Sequence, residues 1–292
     1  MVLSPSPGLK SCACRENIIT FSAVLWVPDH GAVRFFPLGN VASNMEKTSK
    51  KAILLVAFGT SVPKATKAFG KIEKRVREKH PGTEVRWAFT SKTIRSRAAA
   101  QGTKLDSPAT VLRAMAVDGY THVAVLSQHV VPETEFESLC RNCERLQAMS
   151  KCIERVEIAR PLLGNSEDLK RVSKILAGKF ARPGHDEGWI FIGHGNKRHP
   201  SDAIYATMNY LLMDSGTRLF TGTVEGNLTP DELLPGLKAA GIRKVTLVPL
   251  MTVAGAHACK DMAGSKAGNR CLQKMESRAR RSLPAWPKTR IS

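Results

Sequence analysis

The chain has 292 residues, of which 42% are hydrophobic and 6% aromatic, so it is long enough for two domains with buried cores. Its formal net charge of +19 at pH 7 favours an acidic ligand, either a nucleic acid or a polyanionic small molecule. No apolar run reaches the roughly 18–20 residues of a membrane-spanning helix, which argues against a membrane protein. The basic residues lack an accompanying aromatic stacking motif, which disfavours nucleic-acid binding.

The seven cysteines form no regular framework. Cys140 and Cys143 are three positions apart in a predicted helix and so share a face, but no second pair at similar spacing completes a zinc site. Reduced thiols are typical of cytoplasmic proteins, and we expect this location.

Residues 1–45 differ in composition from the rest of the chain. They contain one apolar run, Ile18 to Val27, which is preceded by Glu16 and followed directly by Pro28 and Asp29. We expect an extension that is disordered or not native. The alternative is an export signal, which would place the protein in the periplasm.

From residue 46 the pattern becomes regular, and residues 46–160 are predicted to form an N-terminal α/β domain. Ser107 and Pro108 have the residue types of an N-cap and a first helical position. The predicted strands are 52–61, 84–91, 122–131 and 155–164, and the predicted helices are 65–80, 107–120 and 133–149.

The alternation of strands and helices repeats in residues 161–264, which are predicted to form a C-terminal α/β domain. Ser166 and Thr229 are the predicted N-caps of two of its helices. The helices are 166–180, 201–214 and 229–241, and the strands are 188–195, 218–226 and 244–255. Strands that alternate with helices favour two similar domains, each a mainly parallel sheet flanked by helices, with a cleft between them.

Three strands of the second domain are followed by a possible metal ligand. His194, Glu225 and His257 come after successive strands, about one strand–helix repeat apart. In parallel sheets the carboxyl ends of the strands meet at one edge, where ligands bind, although a single histidine there is more often a structural hydrogen-bonding residue. Two imidazoles and a carboxylate with open positions suit a divalent first-row metal, so we predict a metal site.

Several segments also carry a family resemblance: AILLVAFGTS, RWAFTS, LSQHVVPETEF, FIGHG, TVEG and above all LVPLMTVAGAHACKDMAG. Together they resemble the anaerobic class II chelatases, in particular the sirohydrochlorin cobaltochelatases, over about residues 50–264. The resemblance implies a two-domain α/β fold with the tetrapyrrole in the interdomain cleft. It also implies that His194, Glu225 and His257 bind the metal, with Co(II) as the substrate metal and no organic cofactor.

The resemblance suggests roles for further residues. His194 is the expected proton acceptor. Lys92, Arg95 and Arg97 are candidates to pair with the eight carboxylates of sirohydrochlorin, or else are solvated loop charges. His129, at a strand end of the first domain, either contacts the substrate or makes a structural hydrogen bond.

Alternatives remain open at this point. The same chemistry would serve Fe(II) or another divalent metal, as in iron insertion for sirohaem, and a non-catalytic carrier could use the same histidines. A homo-oligomer is compatible with the pattern. Residues 265–292 are basic where the family is acidic and lack its last strand, so we expect an atypical tail, truncated or frameshifted.

Overall fold

The computed structural model describes residues 49–60, 63–149, 153–180 and 184–252. The predicted N-terminal extension, the tail and His257 lie outside the described residues, so those predictions are not tested. Among the described residues, no helix has the length and apolar character needed to cross a membrane.

The first half of the chain builds a four-stranded sheet in the order β2-β1-β3-β4, with every pair of neighbours parallel. Strand β1 is central, and both of its faces are covered by helices, which explains its unbroken apolar run AILLVA. The elements are β1 (Lys51–Ala57), α1 (Pro63–Lys79), β2 (Glu84–Phe89), α2 (Lys92–Ala100), α3 (Pro108–Val117), β3 (His122–Ser127), α4 (Thr134–Met149) and β4 (Arg155–Ile158).

The second half builds a parallel sheet of three described strands in the order β6-β5-β7. Its elements are α5 (Ser166–Lys179), β5 (Glu187–Gly193), a 3₁₀ turn (Pro200–Asp202), α6 (Ala203–Asp214), β6 (Leu219–Thr223), α7 (Pro230–Ala239) and β7 (Lys244–Pro249). Two parallel sheets flanked by helices confirm the predicted fold class.

One hydrophobic core joins the two halves. Val131, which follows β3, and Leu163, which follows β4, are buried in the same cluster as Phe191 of β5 and Met208 of α6. The backbone of Leu163 also donates to the carbonyl of Val130 at 2.8 Å. Burying these side chains with the core of the second half stabilises the contact between the sheets by the hydrophobic effect.

Helix capping agrees with the sequence at two of the three predicted positions. Ser107 and Thr229 each accept a hydrogen bond from a backbone N–H of the first helical turn, and a proline follows each cap. The prediction for Ser166 is wrong. Asn165 is the N-cap of α5, and its side-chain oxygen accepts from the Asp168 N–H at 2.8 Å.

The alternative that Lys92, Arg95 and Arg97 are loop residues is wrong, because all three lie in helix α2. Ser91 caps this helix, and its Oγ accepts from the Ile94 N–H at 3.4 Å. The strands also end earlier than predicted, because the last residues of the predicted strands belong to the loops that leave the sheet. The turn after β1 is made at Gly59, whose φ is +103°.

Candidate metal and substrate site

The two glycines that flank His194 are required by close packing. A Cβ on Gly193 would lie 2.1 Å from the ring atom Cε1 of Tyr205, which is itself buried. Gly195 has a φ of +75°, and a Cβ there would lie 2.5 Å from the backbone nitrogen of Gly226. The chain therefore leaves β5 in a tight turn that side chains would block, and His194 is left at the surface.

The tautomer of His194 follows from its hydrogen bond. Its Nδ1 lies 3.0 Å from the backbone carbonyl oxygen of Gly195. Because a carbonyl oxygen only accepts, Nδ1 carries the proton in the neutral ring and Nε2 keeps its lone pair. A lone pair on an exposed imidazole nitrogen is what a metal ligand or a proton acceptor needs.

Glu225 is the backbone neighbour of His194. The N–H groups of Glu225 and Val224 donate to the His194 carbonyl at 2.8 and 3.1 Å, and the side chains of Glu225 and His194 are both exposed. Two of the three predicted ligands are thus brought together at adjacent strand ends. The described residues contain no set of three possible ligands, and the predicted third, His257, is outside them.

Asp202 joins the loops that carry the two ligands. Its carboxylate is 5% exposed, and it accepts from the Asn196 N–H at 3.0 Å and from the Asn227 N–H at 2.6 Å. Asn196 follows His194 by two residues, and Asn227 follows Glu225 by two. Asp202 therefore positions both loops, a role that no sequence pattern indicated.

Glu133, which follows β3, brings a carboxylate of the first half towards this site. Its Oε1 is buried and has no hydrogen-bond partner among the described residues. Burial raises the pKa of Glu133, the charges of His194 and His199 lower it in part, and Asp202 raises it further. No sequence pattern indicates this carboxylate, because its position depends on how the two sheets meet.

The carboxyl edges of the two sheets face each other. Beyond β7, the Thr252 hydroxyl donates to the carbonyl of Gln128, which directly follows β3. Glu137 of α4 lies 3.1 Å from Nε2 of His199 in the loop after β5. These contacts set the spacing between the strand ends of the first half and the His194 loop.

His129 is held by polar groups of its own half. Its Nδ1 lies 2.8 Å from Ser127 Oγ, and its Nε2 lies 3.5 Å from Thr90 Oγ1. Burial lowers the pKa of His129 to about 4, so the ring is neutral at pH 7. These contacts favour the structural alternative, while the substrate role stays a prediction.

The three predicted basic residues differ in their surroundings. Arg95 is half-buried, and its guanidinium donates to the carbonyls of Phe89 and Thr90 at 2.6 and 2.5 Å, where it closes the end of β2. Lys92 and Arg97 are exposed on α2. A role in binding carboxylates remains a prediction for all three.

The model of one protein family, described as cobalt chelatase (CbiK), matches residues 51–278. The chain belongs to the cobalt chelatase family. The match contains every described strand and helix, the predicted ligands His194, Glu225 and His257, and the first residues after Gly264. Family membership confirms the resemblance and indicates a divalent metal as a substrate.

Named relatives of this cobalt chelatase chain cover most of its length. A sirohydrochlorin cobaltochelatase of Nitratidesulfovibrio vulgaris, CbiKC, is 38% identical over 218 residues, which are 74% of this chain and 77% of that protein. A sirohydrochlorin cobaltochelatase of Salmonella typhimurium is 32% identical over 216 residues, 73% of this chain and 80% of that protein.

A solved structure shares the fold of this cobalt chelatase chain. It is SirB from Bacillus subtilis with Fe3+, which matches with a TM-score of 0.52 at 17% identity over 78% of this chain and 84% of its own. At this level of identity the likeness supports the two-sheet fold alone.

Proposed function

We propose that this chain inserts Co(II) into sirohydrochlorin, the tetrapyrrole named in both relatives. The observation that carries the proposal is the pairing of His194 and Glu225 at adjacent strand ends, where both side chains are exposed and their backbones are hydrogen-bonded. An imidazole and a carboxylate in this position can hold a divalent metal while leaving coordination positions for the tetrapyrrole nitrogens.

Metal insertion requires that two pyrrole protons leave while the metal loses its bound water. Nε2 of His194 has the lone pair that can bind the metal or accept a proton. Glu225, and His257 as the predicted third ligand, would complete the delivery of the metal. Asp202 would keep the His194 and Glu225 loops in register during the exchange.

The charge of the chain suits this substrate. Sirohydrochlorin carries eight carboxylates, and a formal net charge of +19 attracts such a polyanion over a range set by the ionic strength. Lys92 and Arg97, exposed on α2 at the carboxyl edge of the first sheet, are proposed to pair with carboxylates. Arg95 is proposed to contribute its charge while it remains bound to the β2 carbonyls.

The proposal is tested by absorbance spectroscopy with the purified chain, metal-free sirohydrochlorin and Co(II) without oxygen. We expect conversion of many equivalents of tetrapyrrole per chain, at a rate above that of a protein-free control. Binding without turnover would show a carrier and overturn the enzymatic proposal. The same assay with Fe(II) tests the alternative of iron insertion, because a site of this ligand type accepts several divalent metals.

A further inference from the structure

The ends of the two sheets have the same backbone architecture. In each half the first strand is central, the second strand in chain order lies on one side of it and the third lies on the other, giving β2-β1-β3 and β6-β5-β7. Strand β1 therefore corresponds to β5, β2 to β6 and β3 to β7.

The hydrogen bonds beyond the strand ends repeat as well. The carbonyl of Phe58 accepts from the Ser91 N–H at 3.2 Å, and the carbonyl of His194 accepts from the Glu225 N–H at 2.8 Å. Ser91 lies two residues beyond β2, and Glu225 lies two residues beyond β6. By this correspondence Phe58 is the counterpart of His194.

Two further bonds support the same correspondence. The carbonyl of Val56 accepts from the Gln128 N–H at 2.7 Å, and that of Ile192 accepts from the Leu250 N–H at 2.7 Å. The residues after Phe58 and His194 are both glycines with positive φ, +103° at Gly59 and +75° at Gly195. The backbone thus presents the Phe58 side chain at the carboxyl edge of its sheet as it presents that of His194.

Phe58 is also unusually exposed for a phenylalanine that follows a buried strand. Its side chain is 49% exposed, whereas residues 52–57 are at most 2% exposed. The turn that carries it favours glycine at position 59, where φ is +103° and a Cβ would lie 3.1 Å from the Ile94 side chain. An apolar ring left in water forgoes burial free energy, which a ligand that covers the ring can recover.

We propose that Phe58 contacts a face of the tetrapyrrole and contributes to its binding. This inference rests on the proposed function. A flat conjugated macrocycle with carboxylates around its rim calls for an aromatic or apolar surface under its centre and cations near its edge. Phe58 supplies the ring, and α2, which begins directly after Ser91, carries the cations Lys92 and Arg97. His194 and Glu225 lie at the carboxyl edge of the second sheet, which faces that of the first. The macrocycle and the metal would therefore be contacted from opposite sheets.

The other exposed large apolar residues of the described chain lie elsewhere. Val117 is 82% exposed at the end of α3, directly before the amino end of β3, and Tyr210 and Met213 are exposed on α6. Tyr210 is therefore a matched control, since it is an exposed aromatic residue outside the carboxyl edge.

The test compares the wild-type chain with Phe58→Ala, Phe58→Leu and Tyr210→Ala. The dissociation constant for metal-free sirohydrochlorin is measured from tetrapyrrole fluorescence, and KM and kcat are measured for cobalt insertion. For Phe58→Ala we expect about a tenfold weaker binding of the tetrapyrrole, a similar rise in its KM, and an unchanged KM for Co(II). Phe58→Leu should lose about threefold, and Tyr210→Ala should match the wild type.

Tetrapyrrole binding by folded Phe58→Ala within twofold of the wild type would overturn this inference and leave the proposed function intact. If Phe58→Ala does not fold by circular dichroism, Phe58→Leu, which keeps a large apolar side chain, decides, and binding equal to that of the wild type overturns the inference. A wild-type chain that neither binds nor converts sirohydrochlorin would instead overturn the proposed function, and with it this inference.

Discussion

The two halves of the molecule share a backbone frame at their carboxyl edges but differ in the side chains placed on it. Where the first half has Phe58 and Ser91, the second has His194 and Glu225, at positions fixed by corresponding hydrogen bonds. Ser91 is 5% exposed and is used as a helix cap, whereas Glu225 is exposed. The same backbone arrangement can therefore carry side chains of different chemistry, because the backbone determines only where a side chain lies.

The two halves also differ in the buried residues that pack behind the turns after β1 and β5. Behind His194 the second half places a buried ring, Tyr205, and a buried carboxylate, Asp202, which joins two loops. The first half has Ala57 where the second has Gly193, and the core around it is formed by Phe69 and Phe89. In the second half, buried Asp202 holds the two loops that carry the proposed metal ligands. In the first half, apolar packing supports the one turn that carries Phe58.

The largest loss of cobalt insertion activity is expected from removing His194 or Glu225, the side chains that distinguish the second half. His194→Ala and Glu225→Ala should each lower cobalt insertion at least about 100-fold, because each removes a proposed metal ligand. Both side chains are exposed, so the melting temperature should change little. His257→Ala should behave alike if it is the third ligand. Retention of near wild-type turnover by all three variants would refute the metal site.

The polar support of the second half is tested at Asp202. Asp202→Ala should lower the free energy of unfolding by about 3 kcal/mol, because two backbone N–H groups lose a charged acceptor. Activity should fall about 10–100-fold as the loops of His194 and Glu225 lose their register. Urea unfolding and turnover measure the two effects, with Asp202→Asn, which keeps one oxygen acceptor, as the milder comparison. Unchanged stability in Asp202→Ala would contradict this role.

The difference between Gly193 and Ala57 can be tested by exchanging the two residue types. Gly193→Ala should destabilise the fold by about 2–3 kcal/mol, since its Cβ would lie 2.1 Å from the Tyr205 ring. Ala57→Gly should cost about 1 kcal/mol, the usual penalty of a glycine within a strand. Adding Tyr205→Leu to Gly193→Ala should recover part of the free energy of unfolding that Gly193→Ala removes. Additive effects of these two substitutions would show that the ring is not the obstacle.

The stability of the first half is expected to depend on pH through His129. The pKa of His129 is lowered from 6.5 to about 4 by burial, so between these pH values the unfolded chain binds more protons than the folded chain. Its contribution to stability is therefore complete above pH 6.5 and is lost as the pH falls towards 4, by about 2–3 kcal/mol. His129→Asn should flatten the profile of unfolding free energy in this range. An unchanged slope would contradict the burial effect.

Much of the fold could be predicted because its signals are local. Buried strands read as apolar runs, and Ser107-Pro108 and Thr229-Pro230 combine an N-cap with a first-turn proline. Helix α2 was missed because the basic residues of KTIRSRAAA hide a weak apolar stripe, of which only Ile94 and Ala98 are buried. Asn165 was missed as a cap because the adjacent Ser166 satisfies the same local pattern.

Only the site residues that directly follow predicted strands could be identified from the sequence. His194 and Glu225 follow apolar runs at a regular spacing, so their meeting at one edge follows from a parallel sheet. Asp202 and Glu133 reach the site from a turn and from the other half. Their placement depends on the packing of elements distant in sequence, which periodicity does not encode. From the sequence alone, Phe58 is predicted to be an ordinary strand residue. Its correspondence to His194 is visible only when the two sheets are compared.

In the proposed arrangement the second half of the chain holds the metal and the first half contacts the macrocycle. It is tested most directly by titrating Co(II) into the tetrapyrrole-free chain and following the visible d–d absorption. We predict saturable binding by the wild type, loss of at least about tenfold in affinity in His194→Ala and in Glu225→Ala, and wild-type affinity in Phe58→Ala. Equal cobalt affinity in His194→Ala and the wild type, or a loss of cobalt affinity only in Phe58→Ala, would show that the second half does not hold the metal.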